Sequence, residues 1–448
     1  MYEALLTVTA LLCLAAIIAG AWYYHDTFHP LVFLGALLGA FYVYVPVQLL
    51  WGGELWRYLD EGSLIELQAI FLAGVVSTLV GVWRGAGRPI GPDAGGVRVT
   101  EEQQRRLRIG AIILGLIAVG GFLYGINNVG GISAAFAQGY GGGWDDSGYV
   151  REIWLLSLPA LVWLMAAYQT RRPGWIGWVL IALIASPFLA QGILGARRGP
   201  TFMAVVGLAV GWYLMRRRRP RLLTVLVGGT ALGIALLFLA MNRNSIYLGS
   251  EFRLERSPIT YIQAGTTNEY IYGGALILHA ETQQQYYWGG RYFQMYFVRP
   301  IPSAWWPTKY VETAQWLGVP NIDGGNSGLA RRELRSTVGW APGVGAAPGI
   351  VADLWVEFWW LSIVVLFGIG WLHGRAWRKA MTRGGPWIPC FGILTALSIY
   401  LVMQGLDPMA FRALIMLAGS TAVWYASKLR VEGMQRVAQP VFPGRPES

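Results

Sequence analysis

Apolar stretches of about 20 residues recur along this chain, separated by short polar or basic segments, and a helix of that length crosses a bilayer. The stretches do not alternate with a period of two, which argues against a transmembrane β-barrel. We therefore predict an all-α polytopic membrane protein with about eleven spans. The predicted spans are 4–22, 31–50, 64–83, 109–127, 152–169, 176–195, 200–215, 222–241, 348–372, 386–404 and 410–427.

One interval, 242–346, does not fit this pattern because it is rich in Arg, Trp, Tyr and Pro. The chain is therefore predicted to have four parts. N-terminal membrane helices occupy 1–241, a large loop 242–346, C-terminal membrane helices 347–428 and a tail 429–448. The turn-rich segments 321–327 and 339–349 within the loop fit either a mobile lid or a plain surface loop.

Basic residues orient the spans. Only 13% of the 448 residues are charged, yet the net charge is +11. Arginine-rich segments such as 105–108 and 216–219 fall on one face if the spans alternate, and an excess of Lys and Arg marks the cytoplasmic face. The large loop then faces the periplasm or the exterior. This sorting also explains most of the basic balance, so we expect no nucleic-acid partner.

Some basic residues break the sorting rule and lie on the opposite face. Arginine presents five donors in a planar fork and keeps its charge, which suits pyrophosphate. The structural alternatives are pairing with an acid or contact with lipid phosphates. Because these cations lie next to the bilayer, we predict a lipid-linked pyrophosphate site formed by Arg197, Arg198, Arg291, Arg299, Lys309 and Arg412.

Aromatic residues are concentrated in the same loop. Segment 269–279 is predicted to be a short helix at the membrane interface, and prolines exclude a regular helix near Trp305 and Trp306. Rings with interleaved polar groups favour sugar binding by Trp305, Trp306 and Tyr292. The alternative is an aromatic belt at the lipid headgroups.

Two acids and one histidine are the candidates for a catalytic base. Asp353 and Glu357 are four residues apart, and therefore on one helical face. A carboxylate there would accept a proton from an attacking hydroxyl, whereas the structural alternative is pairing with loop arginines. His279 is the third candidate. No metal-binding, P-loop or nucleophile-elbow motif is present, so we expect no metal and no cofactor.

Several motifs resemble the Wzy-type O-antigen and oligosaccharide repeat-unit polymerases of bacteria. They are the Arg-Arg-Gly turn at 197–199, Gly290-Arg291-Tyr292, Ile301-Pro302-x-x-Trp305-Trp306-Pro307-x-Lys309, and the re-entry segment from Pro348-Gly349 through Asp353-Leu354-Trp355 to Gly374. Three positions depart from the family pattern. Ser303 replaces a basic residue, Asp353 replaces a more frequent Glu, and Trp359 stands where the family tends to have Gly.

The resemblance implies a glycosyltransferase with a GT-C-like fold in the bacterial inner membrane and an active site facing the periplasm. The substrates would be undecaprenyl-pyrophosphate-linked oligosaccharides. Other expected partners are membrane lipids, a chain-length regulator and a flippase. One alternative is an O-antigen ligase, which would use His279 as base to transfer glycan to lipid A core. A non-enzymatic transporter of lipid-linked sugars is the other.

Overall fold

A computed structural model describes residues 1–90, 100–137, 150–168, 172–216, 220–242, 248, 269–320, 334, 339 and 346–437. These residues form helices joined by turns, and no β-strand occurs among them. Eight of the helices in this part of the chain are long and apolar enough to cross a membrane. The chain is therefore an all-α, multi-pass membrane protein, as its hydrophobic pattern predicted.

The N-terminal half contains eleven α-helices in the described ranges. They are α1 (Tyr2–Ile18), α2 (Pro30–Gly39), α3 (Val45–Trp51), α4 (Leu55–Tyr58), α5 (Glu61–Ala86), α6 (Glu101–Asn128), α7 (Ile132–Ala135), α8 (Ser157–Ala167), α9 (Trp175–Ile193), α10 (Arg198–Arg216) and α11 (Leu222–Met241). Short π-helical segments at Ala19–Tyr23 and Ala40–Tyr44 extend α1 and join α2 to α3, and a 3₁₀ segment at Val150–Leu156 leads into α8.

The large loop and the C-terminal part add seven α-helices to the described fold. They are α12 (Glu269–Gln283), α13 (Gly290–Phe293), α14 (Lys309–Leu317), α15 (Ile350–Phe358), α16 (Leu361–Thr382), α17 (Trp387–Gln404) and α18 (Leu406–Val437). A π-helical turn, Gln294–Val298, continues α13.

Three of the described helices, α2, α5 and α6, begin at a capping side chain. The Asp60 carboxylate accepts the Ser63 N–H at 2.9 Å at the start of α5, and Thr100 caps α6 in the same way. At α2, His29 Nδ1 accepts the Leu31 N–H at 3.2 Å and Pro30 occupies the first helical position, where its missing N–H costs nothing.

The backbones of α5 and α16 approach so closely that the contact positions have no room for a side chain. An added Cβ at Gly81 or Gly85 would lie 2.2 Å from a carbonyl oxygen of α16, and one at Gly370 would lie 2.0 Å from the Thr78 carbonyl oxygen of α5. Both helices thus use glycines spaced four apart to bring their backbones together, as membrane helices often do. The pair forms a rigid support for the short helix α15.

The prediction of one continuous span over 348–372 is wrong. Helix α15 ends at Phe358 and α16 begins at Leu361, because Trp359 adopts φ +48° and ψ −132°. Glycine adopts such a backbone without strain, whereas other residues pay about 1–3 kcal/mol. The break separates the two acidic residues, on α15, from the long helix α16.

Segment 269–279 is helical, as predicted, but it does not lie on a surface. Tyr270 and Tyr272 in α12 are fully buried. The Tyr270 hydroxyl donates to Gln68 Oε1 at 2.9 Å and lies 3.3 Å from the Tyr2 hydroxyl, and Gln68 Nε2 donates to Thr9 Oγ1 at 3.0 Å. Part of the large loop is therefore packed against α1 and α5.

Some predictions concern residues outside the described ranges. They are the lid segment 321–327, residues 217–219 of the basic run, and the end of the tail after 437.

Candidate functional site

A buried ion cluster joins the large loop to α15. Asp353 and Glu357 lie on one face of α15, as their spacing predicted, and Arg291 from α13 inserts between them. Arg291 Nε lies 2.7 Å from Glu357 Oε1, and its Nη2 pairs with Asp353 Oδ1. All three side chains are at most 2% exposed.

Further donors occupy the remaining carboxylate oxygens of the cluster. The Tyr292 hydroxyl donates to Asp353 Oδ2 at 2.7 Å, and the backbone N–H of Leu406 donates to the same oxygen at 2.8 Å. The Gly289 N–H donates to Glu357 Oε2 at 2.9 Å. The cluster therefore fixes the start of α13 and the start of α18 to α15.

Burial changes the ionisation of the cluster. It raises the pKa of Glu357, and the nearby Arg291 charge opposes that shift. For Arg291, burial lowers the pKa, but the Asp353 and Glu357 carboxylates act more strongly in the other direction, so the net pKa is well above the usual value. Arg291 thus stays charged and is neutralised inside the protein.

These contacts oppose four of the predicted roles. Arg291 is enclosed by carboxylates, so its guanidinium is not presented to a pyrophosphate. Tyr292 is buried with its hydroxyl engaged, so it does not offer a ring to a sugar. Every carboxylate oxygen of Asp353 and Glu357 already accepts a hydrogen bond from the protein, so both acids are engaged in the cluster. The structural alternative, pairing with a loop arginine, describes both acids.

A second group of charged residues surrounds Tyr400 on α17. The Arg412 guanidinium lies 4.4 Å from the centre of the Tyr400 ring, and the charge of Arg197 acts on the Tyr400 hydroxyl as well. Arg198 and Tyr400 line a cavity of about 30 Å³, with Gly199, Ala347, Ile399, Met403 and Gln404. The cavity has room for about two water molecules.

The Arg-Arg-Gly turn has the tight geometry that its sequence predicted. Ala196 adopts φ +48°, and the Arg197 N–H donates to the Gly192 carbonyl at 3.0 Å. Arg198 then begins α10. A Cβ at Gly199 would lie 2.0 Å from the Tyr400 hydroxyl, so the absence of a side chain at 199 lets α10 approach α17 at the cavity.

Arg299 and Lys309 differ from each other in position and partners. Arg299 is exposed, and its guanidinium lies 5.2 Å from the centre of the Phe411 ring, next to Arg412 in sequence. Lys309 is buried, and its ammonium donates to the carbonyls of Arg299 at 3.2 Å and of Ile301. Arg299 therefore adds to the cations around Arg412, whereas Lys309 holds the preceding turn in place.

The remaining candidates lie away from the cavity. Trp305 is 81% exposed, while Trp306 is half-buried and its indole N–H donates to Glu312 at 2.8 Å. His279 is half-buried on α12, a helix that packs against α5 and α15, whereas the cavity is formed by α10, α17 and the segment before α15. The structure does not bring His279 to the arginines.

Comparisons with protein-family models, curated proteins and solved structures found no match. The resemblance in the sequence motifs stays an expectation.

Sequence reasoning missed two polar residues close to the arginines. Asp407 is the second residue of α18, and its carboxylate experiences the charges of Arg291, Asp353, Arg299 and Arg412. Tyr296 lies on the π-helical turn after α13, and its buried hydroxyl has no hydrogen-bond partner among the residues that the structure describes. The Asp407-Pro408 pair at a helix start resembles an ordinary cap, and the tyrosine resembles any loop aromatic, so no sequence signal marked either one.

Proposed function

We propose that this chain is a membrane glycosyltransferase that polymerises undecaprenyl-pyrophosphate-linked oligosaccharide repeat units. The proposal includes a GT-C-like fold of eleven spans in the bacterial inner membrane, with the site on the periplasmic side. A flippase would supply the lipid-linked unit and a chain-length regulator would limit the product.

The observation that carries the proposal is the convergence of Arg197, Arg198 and Arg412 on Tyr400, beside a cavity at one end of a membrane bundle. Fixed guanidinium groups stabilise negative charge that develops on a leaving group. A lipid tail places such a group at the membrane surface, where these cations lie. The Nε of Arg412 has no hydrogen-bond partner in the described protein, which leaves a donor for a phosphate oxygen.

The remaining residues have supporting roles in this proposal. Arg299 adds charge near Arg412. The exposed ring of Trp305, outside the cavity lining, is the candidate for stacking on a more distant sugar of the oligosaccharide. Asp353, Glu357, Arg291 and Tyr292 act as positioning residues, because they hold the start of α18, and with it Arg412, in place. The proposed charge stabilisation relies on arginine and involves no metal.

Deletion of the gene, with analysis of surface polysaccharide, tests the proposal. Loss of a polymerase leaves single repeat units attached to the cell surface. Loss of a ligase would instead leave long chains on the carrier lipid, and loss of a transporter would leave the units on the cytoplasmic side. Unaltered polysaccharide contradicts the proposal.

A matched pair of arginine variants tests whether polymerisation depends on the cavity. Arg198→Ala is expected to stop polymerisation in the deletion strain while the protein still inserts. Arg57→Ala is the control, because Arg57 is exposed and its contacts within the described residues are Glu54 at 3.7 Å and the neighbouring Tyr58 ring. Normal chain lengths with Arg198→Ala would show that the turn has no part in the reaction.

A further inference from the structure

The carboxylate of Asp407 has no fixed partner, although several charged groups surround it. Within the residues that the structure describes, it makes no hydrogen bond and no ion pair within 4.0 Å. We call such a polar group uncommitted. The Arg412 Nε and the Tyr296 hydroxyl are uncommitted in the same sense.

The position of Asp407 is nevertheless fixed by its backbone. The N–H of the preceding residue, Leu406, donates to Asp353 at 2.8 Å. Gly405 adopts φ +106°, and a Cβ there would lie 2.3 Å from Asp353 Oδ2, so the chain passes directly over the ion cluster. The ion cluster thus holds the backbone beside Asp407 and leaves the Asp407 carboxylate available.

The groups around Asp407 suit a base that works beside a polyanion. Arg291, Arg299 and Arg412 are the cations whose charges reach it, and Asp353 and Tyr296 are the titratable groups that face it. Burial, and then the charge of Asp407, raise the pKa of Tyr296, so its hydroxyl remains a neutral donor. A neutral hydroxyl beside a carboxylate can orient a substrate hydroxyl without competing for its proton.

We propose that Asp407 is the catalytic residue that accepts the proton of the attacking sugar hydroxyl. This inference rests on the proposed function. The acceptor oxygen forms a bond to the anomeric carbon of the donor sugar while the bond from that carbon to the pyrophosphate oxygen breaks. The bonding electrons leave with the pyrophosphate, which the arginines stabilise, and the proton moves to Asp407. Water then receives the proton from Asp407.

The purified full-length protein in lipid nanodiscs provides the test. Its substrate is the lipid-linked oligosaccharide extracted from the gene-deletion strain, and farnesyl pyrophosphate serves as a binding probe for the arginines. We expect Asp407→Asn to lower the transfer rate by about 10²–10⁴-fold. Farnesyl pyrophosphate binding should change by about twofold or less, since this corresponds to only about 0.4 kcal/mol.

Two further variants separate catalysis from structure. Asp407→Ala should regain part of its rate when sodium formate is added, because a small carboxylate can then enter the vacated space and accept the proton. Glu61→Gln, which removes an exposed acid from the first turn of α5, should transfer at the wild-type rate.

The outcomes are distinguishable. If wild-type protein elongates the extracted substrate and Asp407→Asn does so equally fast, Asp407 is not the base, while the proposed function stands. If Asp407→Asn loses both probe binding and transfer rate, and formate does not restore the transfer rate of Asp407→Ala, then Asp407 has a structural role instead. If the wild-type protein transfers no sugar, both the function and the base are overturned.

Discussion

The acids Asp353 and Glu357 lie close to a third acid, Asp407, at one end of this bundle. The pair and the single residue differ in their hydrogen-bond partners. Asp353 and Glu357 are buried and hydrogen-bonded at every oxygen, and their partners come from α13, from Gly289 and from α18. Asp407 begins α18 next to them and is uncommitted in the described structure. The comparison teaches that an acid's spacing and burial do not show whether it is available, because hydrogen-bond partners decide that.

The largest effect is expected from removing the central cation. Arg291→Met should lower the free energy of unfolding by about 3–5 kcal/mol, because two buried carboxylates lose their counter-charge. Thermal unfolding in detergent measures this. Arg299→Met is the control, since it removes the same charge from an exposed position. Equal unfolding midpoints for the two variants would contradict the structural role of the cluster.

Replacing the two aspartates in turn makes the comparison sharper. Asp353→Asn removes the ion pair with Arg291 and should destabilise the protein by about 2–3 kcal/mol. Asp407→Asn breaks no hydrogen bond or ion pair among the described residues and should change stability by about 0.5 kcal/mol or less. The same unfolding assay compares them. A larger loss from Asp407→Asn would mean that its carboxylate is a structural group after all.

A smaller effect is expected from closing the space beside Tyr400. The Cβ of Gly199→Ala would lie 2.0 Å from the Tyr400 hydroxyl, so the ring must move away from Arg412. We expect farnesyl pyrophosphate to bind about tenfold more weakly, a change of about 1.4 kcal/mol. Titration calorimetry measures it, and Gly120→Ala, at a helical glycine with open space around it, controls for glycine replacement. Unchanged affinity would show that the pyrophosphate of the probe does not bind beside Tyr400.

The smallest effect concerns a fourth acid, Glu281 at the end of α12. Burial, and then the charge of Glu66, raise the pKa of Glu281 to about 7. Because the folded-state pKa lies above the unfolded one, the contribution of Glu281 to stability is complete below about pH 4.5 and is lost as the pH rises through about 7.

Unfolding midpoints between pH 5 and 8 should therefore fall less steeply in Glu281→Gln than in the wild type. Glu54→Gln serves as the control at another acid in the same part of the protein. Parallel curves for the wild type and Glu281→Gln would show that the Glu281–Glu66 contact does not contribute.

Much of the fold could be predicted from the sequence, because long apolar runs determine membrane helices almost by length alone. The helical nature of 269–279 and the tight turn at 197–199 were also predictable from local composition. The break at Trp359 was not, since tryptophan gives no local signal for a positive φ. The resemblance did mark that position, where Trp replaces a more usual Gly.

The site was less predictable than the fold. Spacing placed Asp353 and Glu357 on one face, but their use depends on Arg291, Tyr292 and Leu406, which come from distant parts of the chain. Asp407 was overlooked for the same reason. No local pattern distinguishes a capping aspartate from an uncommitted one, because the difference lies in tertiary contacts.

The polar chain from Thr9 through Gln68 to Tyr270 also bears on how the protein is made. Tyr270 follows Gln68 by 202 residues, so the ribosome delivers α1 and α5 long before α12. In the folded protein Gln68 Nε2 donates to Thr9 Oγ1 at 3.0 Å, and the Tyr270 hydroxyl supplies the donor for Gln68 Oε1 that lipid does not provide. We expect the site on α1 and α5 that α12 occupies to stay vacant in the nascent bundle. Helix α12 would then dock there only late in biogenesis.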